Sequence, residues 1–147
     1  MTYFFDSSAL VKLYHPELGS SRVEAIFREQ DRRIVTSCLT VVELQSAFAL
    51  KVRTGQLSAD ASASLVLRFL QDVVTAALTV ISVRDLHYAA AERLIVKYGN
   101  AKGLRTLDAL QLAVALESRG DIDALVAADK TIVEIARVEA VAVIEPT

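Results

Sequence analysis

Short runs of β-branched and aromatic residues alternate along this chain with longer stretches in which apolar residues recur every three or four positions. The short runs predict strands at Thr2–Asp6, Arg33–Ser37, Leu78–Ser82, Leu125–Ala128 and Ala140–Ile144. The longer stretches predict amphipathic helices at Ser8–Tyr14, Ser20–Gln30, Thr40–Thr54, Ser58–Val74, Asp85–Tyr98, Thr106–Arg119 and Lys130–Val138. Punctuation supports the division. Pro16 follows the first helix, Gly55 the third and Gly120 the sixth, while Ser58 and Thr106 are placed to cap helices and Ser82 and Asp85 have capping-box spacing. Lys97-Tyr98-Gly99-Asn100-Ala101-Lys102-Gly103 reads as a flexible basic loop. Strands alternating with helices predict an α/β fold, a central, mostly parallel sheet of about five strands covered on both faces. The 147 residues fit one domain, 1–147, and no repeat or linker interrupts them.

Composition adds a surplus of apolar residues. At 53% hydrophobic the chain is rich for a soluble domain. No apolar run approaches the ~18–20 residues that span a bilayer, so no membrane role is expected. The surplus points instead to an oligomer interface or a partner groove. The helices Thr40–Thr54 and Ser58–Val74 are candidates for that contact. Within them the Ala61/Leu65/Phe69 row suits either a partner or the chain's own core. Cys38 is the one cysteine, which rules out an internal disulfide and agrees with a reducing compartment. The N-terminus meets Asp6 at once and lacks a signal peptide's basic region, so a cytoplasmic location is expected. A net charge of −2 gives no overall attraction to a polyanion, and any nucleic-acid site must be local.

Ligands of parallel α/β sheets bind beyond the carboxyl ends of the strands. Asp6 ends the first strand and Asp129 follows the fourth. Glu43 interrupts Val41-Val42-Glu43-Leu44, and Asp108 lies in the first turn of a largely apolar helix. Each has a plainer reading. Asp6 and Asp129 would serve as helix caps, Asp108 would complement a helix dipole, and Glu43 would face solvent beside Gln45. What unites the four is one predicted edge of one sheet. Two carboxylates about 4 Å apart repel by roughly 4 kcal/mol at an effective dielectric near 20. A divalent cation removes that cost, and magnesium takes hard oxygen ligands of this kind. Zinc is not indicated, because His15 and His87 have no partner at ligand spacing; both read as ordinary surface or helix-end residues. A receiver or a haloacid-dehalogenase-like phosphatase needs a second acid beside the first, and here the run is Asp6-Ser7-Ser8.

The acidic segments resemble the motifs of the PIN domain. Phe4-Phe5-Asp6-Ser7-Ser8-Ala9-Leu10-Val11-Lys12 resembles its opening strand and first acid, and Thr40-Val41-Val42-Glu43-Leu44 its second acidic motif. Leu104-Arg105-Thr106-Leu107-Asp108-Ala109-Leu110-Gln111-Leu112-Ala113 resembles the third, and Leu125-Val126-Ala127-Ala128-Asp129-Lys130 the fourth. The motifs occur in order across nearly the whole chain, whose length is similar to that of the VapC toxins of toxin–antitoxin pairs. The resemblance implies a PIN-like three-layer α/β/α sandwich and a magnesium- or manganese-dependent endoribonuclease. It also implies a homodimer inhibited by a small cognate antitoxin. By the same carry-over Asp6, Glu43 and Asp108 are the metal ligands and Asp129 is the fourth acid. Many relatives carry asparagine where this chain has Ser8, whose hydroxyl could still bond a carboxylate.

Lys12, Lys102 and Arg105 flank the acidic motifs and are candidates for phosphate contact, or else ordinary solvated side chains. Tyr14 and Tyr98 would stack on unpaired bases or pack within the fold. Other readings of the same residues are a catalytically idle PIN-like binding module and a structure-specific DNA nuclease.

Overall fold

Tyr3, Phe4 and Phe5 are consecutive in strand β1 (Thr2–Phe5), and all three are buried, yet Phe4 packs into a different core from its neighbours. Successive strand side chains point to opposite faces, so an unbroken apolar run requires cover on both. The computed structural model describes residues 1–147 and provides that cover. The elements run β1, α1 (Ser7–Tyr14), α2 (Ser20–Phe27), β2 (Arg33–Ser37), α3 (Cys38–Arg53) and α4 (Ala59–Val74). They continue with β3 (Thr79–Ile81), α5 (Asp85–Lys102), α6 (Thr106–Glu117), β4 (Ala124–Val126), α7 (Lys130–Val138) and β5 (Val143–Ile144).

The five strands form one sheet in the order β3-β2-β1-β4-β5, and every pairing is parallel. On one face Tyr3, Phe5, Ile34 and Val126 pack against α1 to α4, around Leu10, Phe48 and Phe69. On the other, Phe4, Val35 and Leu125 pack against α5 to α7, around Leu112, Val114 and Ile135. The result is the three-layer α/β/α sandwich expected from the alternation of patterns. No helix is long and apolar enough to cross a membrane.

Several details differ from expectation. The stretch 97–103 is no loop: α5 runs on to Lys102 and ends at Gly103, whose left-handed backbone (φ +68°) and N–H bond to Gly99 O close the helix. Extensive packing against α6 overrides the weak helix propensity of Gly99 and Asn100. The capping box at its start is shifted, with Arg84 as N-cap and His87 Nδ1 accepting its backbone N–H at 2.9 Å. His87 is therefore no surface residue; it is fully buried, with Nε2 3.2 Å from Glu117 at the end of α6. Helix α6 begins at Thr106 itself, one residue earlier than a capping Thr106 would allow. Of the Ala61/Leu65/Phe69 row, Leu65 and Phe69 pack into the chain's own core, with Phe69 fully buried. The aliphatic side chains left exposed on α4 are Leu67, Leu70 and Val74.

Candidate active site

Strand β1 delivers Asp6 to the carboxyl edge of the sheet, where its backbone N–H bonds Val126 O of β4 at 3.0 Å. The residue caps α1, its Oδ2 accepting the Ser8 N–H at 3.0 Å and the Ser8 hydroxyl. Strand β4, the neighbour of β1, delivers Asp129 to the same edge. It caps α7, with Oδ1 accepting the Ile132 N–H at 3.1 Å. The capping readings of both residues are thus correct. Capping also fixes where each carboxylate stands, and both stand in the same cleft. Ser8 joins them, because its Oγ accepts the backbone N–H groups of Ala128 and Asp129 at 2.9 and 3.1 Å.

Glu43 comes from the second turn of α3, and Asp108 from the first turn of α6. Asp6, Ser8, Glu43, Arg105, Asp108 and Asp129 all line one cavity of about 230 Å3, with Val11, Ala47 and Ile132 as its apolar walls. Four carboxylates from four distant segments therefore share a pocket. Asp6 is the deepest at 2% exposed. Burial pushes its pKa up to about 6, the Ser8 hydrogen bonds oppose that rise, and the charges of Glu43 and Asp129 add to it.

Asp108 bonds the Arg105 guanidinium at 3.2 Å and is largely covered, whereas the Arg105 side chain is 78% exposed. Glu43 accepts from Gln111 Nε2 at 2.8 Å. As placed, no three acidic, histidine or cysteine side chains stand close enough to hold one ion. The donor set nonetheless suits a hard divalent cation: carboxylate oxygens only, an excess of negative charge, and a deepest acid destabilised by burial. Arg105 now neutralises part of that excess. Because its side chain is solvated, its displacement costs about 1 kcal/mol or less.

The remaining expected residues lie elsewhere. Lys12 is committed to Glu17 at 3.2 Å and to Leu18 O at 2.7 Å, and its side chain is only 11% exposed. Lys102 pairs with Glu134 at 3.1 Å. Neither lines the cavity. Tyr14 packs edge-on against Phe48 and Phe69 and donates to Asp72, and Tyr98 donates to Glu139, so both serve the fold.

Sequence patterns had not singled out Gln111, Thr40, Thr36 or Ser37. Gln111 is 2% exposed inside the apolar run of α6 and lies one turn beyond Asp108. A polar residue at that spacing from a site acid, flanked by leucines, was the available signal. A larger cavity, about 390 Å3, opens at the opposite edge of the sheet, between the carboxyl ends of α1, α2 and α4. Arg28 there is paired with Glu24, Asp72 accepts from Tyr14, and Arg32 and Arg68 lie over the Phe27 and Tyr14 rings, so the cavity mixes both signs of charge.

The chain belongs to the PIN domain family, whose sequence model matches residues 3–138. Among solved structures it is similar to VapC20 of Mycobacterium tuberculosis, a sarcin-ricin loop cleaving toxin. The TM-score is 0.68 at 16% identity, over 90% of this chain and 94% of that one. It is also similar to FitAcB of Neisseria gonorrhoeae (TM-score 0.67, 20% identity, 98% and 97% covered). A toxin–antitoxin complex from Klebsiella pneumoniae gives a TM-score of 0.65 at 16% identity, over 99% and 98% of the two chains. Identities at this level show a shared fold. No curated protein sequence matches the chain.

Proposed function

We propose that this protein is a magnesium- or manganese-dependent endoribonuclease and the toxin of a toxin–antitoxin pair, acting in the cytoplasm. The observation that carries the proposal is the convergence of Asp6, Glu43, Asp108 and Asp129 on one pocket at the ligand-binding edge of the sheet. Membership of the PIN domain family and the likeness to toxin structures support the same reading.

In this proposal Asp6 and Asp108 hold the cation and Glu43 binds it directly or through water. When bound, the ion supplies positive charge to a non-bridging phosphate oxygen and makes water a better nucleophile near neutral pH. Asp129, fixed by its capping bond, would orient the attacking water or take its proton as the P–O bond to the leaving oxygen breaks. Arg105 stands at the exposed rim, where an arriving phosphate draws its guanidinium off Asp108. Ser8 keeps the first and fourth acids in register.

Two groups stand out among the exposed apolar side chains. One is the Leu67, Leu70 and Val74 face of α4, and the other is formed by Tyr88, Val96 and Leu107 on α5 and α6. These surfaces provide for a homodimer and for the antitoxin.

The test is a manganese titration followed by calorimetry and by cleavage, run on RNA and on DNA with the wild type and Asp108→Asn. Metal-dependent cutting of RNA by the wild type alone is expected. Equal cleavage by Asp108→Asn, or cleavage independent of metal, overturns the assignment. Preferential cutting of DNA overturns the substrate class.

A further inference from the structure

Glu43 is held from behind by a buried polar chain that begins at the sheet. Thr36 Oγ1 lies 2.7 Å from Phe5 O and 2.8 Å from Thr40 Oγ1. A hydroxyl carries one proton, so Thr36 donates to Phe5 O and accepts from Thr40. Gln111 Nε2 then donates to Thr40 Oγ1 and to Glu43 Oε2, each at 2.8 Å, while its Oε1 accepts from Ser37 Oγ at 2.6 Å. Thr36, Ser37, Thr40 and Gln111 are all buried. Both protons of the Gln111 amide are donated, and its oxygen accepts one bond. The amide cannot turn over, because its oxygen would then face the Glu43 carboxylate.

We infer that Gln111 is a positioning residue that sets the direction of Glu43 toward the cation. The inference rests on the metal-nuclease reading above and extends it to a residue outside the acidic set. Glu43 sits on a helix and would otherwise choose among several rotamers. The amide removes that freedom by anchoring one carboxylate oxygen to β1 and β2 and leaving the other toward the pocket. Partners of this kind, one shell behind a metal ligand, typically change metal affinity by about 10–100-fold when removed. The chain runs through side chains of β2, α3 and α6, so it also fixes those three elements relative to the acid they serve.

The experiment compares wild type, Gln111→Leu, Thr40→Val and Thr40→Ser. It measures manganese affinity by calorimetry and the metal-free crystal structure of each. Gln111→Leu keeps the volume and removes the donors. Thr40→Val breaks the chain one step upstream, and Thr40→Ser restores the hydroxyl. The expected result is a roughly tenfold or greater loss of manganese affinity in Gln111→Leu and a smaller loss in Thr40→Val. Affinity in Thr40→Ser stays at the wild-type value, and the Glu43 carboxylate is displaced in Gln111→Leu. Wild-type affinity with an unmoved Glu43 in Gln111→Leu overturns the inference. If Gln111→Leu does not fold, the Thr40 pair decides: equal affinities in Val and Ser overturn it. If the wild type binds no manganese, the nuclease reading fails separately. The crystal structures still decide the role of Gln111, since an unmoved Glu43 refutes it and a displaced one supports it.

Discussion

Ser8 and Asp129 are 121 residues apart in sequence, and the Asp129 backbone N–H donates to Ser8 Oγ at 3.1 Å. The same hydroxyl takes the Ala128 N–H at 2.9 Å and gives its own proton to Asp6. One small side chain thus closes the gap between the first and last acids of the pocket.

Ser8→Ala removes this junction. Two backbone donors and the Asp6 carboxylate lose a partner together, which costs about 1–3 kcal/mol. The melting temperature should fall by roughly 3–10 °C. Thermal unfolding of the metal-free protein checks it, and an unchanged Tm would show that water replaces the hydroxyl without loss.

The high pKa of Asp6 gives the metal-free protein a characteristic pH dependence. The folded value is about 6 against an ordinary 3.8. The folded state therefore binds this proton more tightly, and its stabilising contribution is complete below pH 4. As pH rises from 4 to 6 the unfolded chain gives up the proton first, and that contribution is lost. A shift of this size corresponds to about 3 kcal/mol. Glu17, Glu117 and Glu139 have lowered pKa values and act in the opposite direction, so the raw curve mixes both signs. Asp6→Asn keeps a good capping residue and removes the titration. The urea midpoint of Asp6→Asn minus that of the wild type should grow between pH 4 and 6. A difference that stays flat would refute the buried, raised carboxyl.

In the proposed metal site Arg105 would compete with the cation for Asp108. The pair is exposed on the arginine side and worth about 1 kcal/mol at most. Arg105→Ala should tighten manganese binding by up to about fivefold in the absence of RNA and weaken RNA binding at low salt. Calorimetry and filter binding measure the two effects. Unchanged or tighter RNA binding would remove Arg105 from the phosphate path.

Tyr98 and Lys97 are both tied to Glu139, just beyond α7. Tyr98 Oη donates to Glu139 at 2.5 Å, and Lys97 Nζ reaches the same oxygen at 2.8 Å. Tyr98→Phe should lower stability by roughly 1.5 kcal/mol through the lost bond to a charged acceptor. RNA affinity and cleavage rate should stay at wild-type values. A selective loss of RNA affinity would restore a base-stacking role.

Much of this could be read in the chain before any coordinates. The sheet was legible because both of its faces are buried, which turns each strand into an apolar run too short for a helix. Asp6 and Asp129 stood out because a carboxylate directly after such a run must lie at the strand's carboxyl edge. Asp108 and Glu43 stood out as charges inside apolar helices. The stretch 97–103 was misread because Gly99, Asn100 and Gly103 are local breaking signals, while the packing of α5 on α6 that holds the helix together is not local. Gln111, Thr40, Thr36 and Ser37 stayed hidden because neutral polar residues carry no periodic signal. Their role exists only once α6 lies against β2 and α3. The turn of Asp108 toward Arg105 is a choice of rotamer, which residue types do not encode.

The strand order bears on when the pocket can exist during synthesis. Strand β1 lies at the centre of the sheet, and its neighbour β4 is made only after β2 and β3. Asp6 waits through most of translation for the segment that carries Asp129 and the amides bound by Ser8. A nascent or truncated chain that stops short of Ala128 holds three of the four acids on an open edge with no junction to close it. The Ser8 junction is therefore a late event, formed only when the two central strands have both been made.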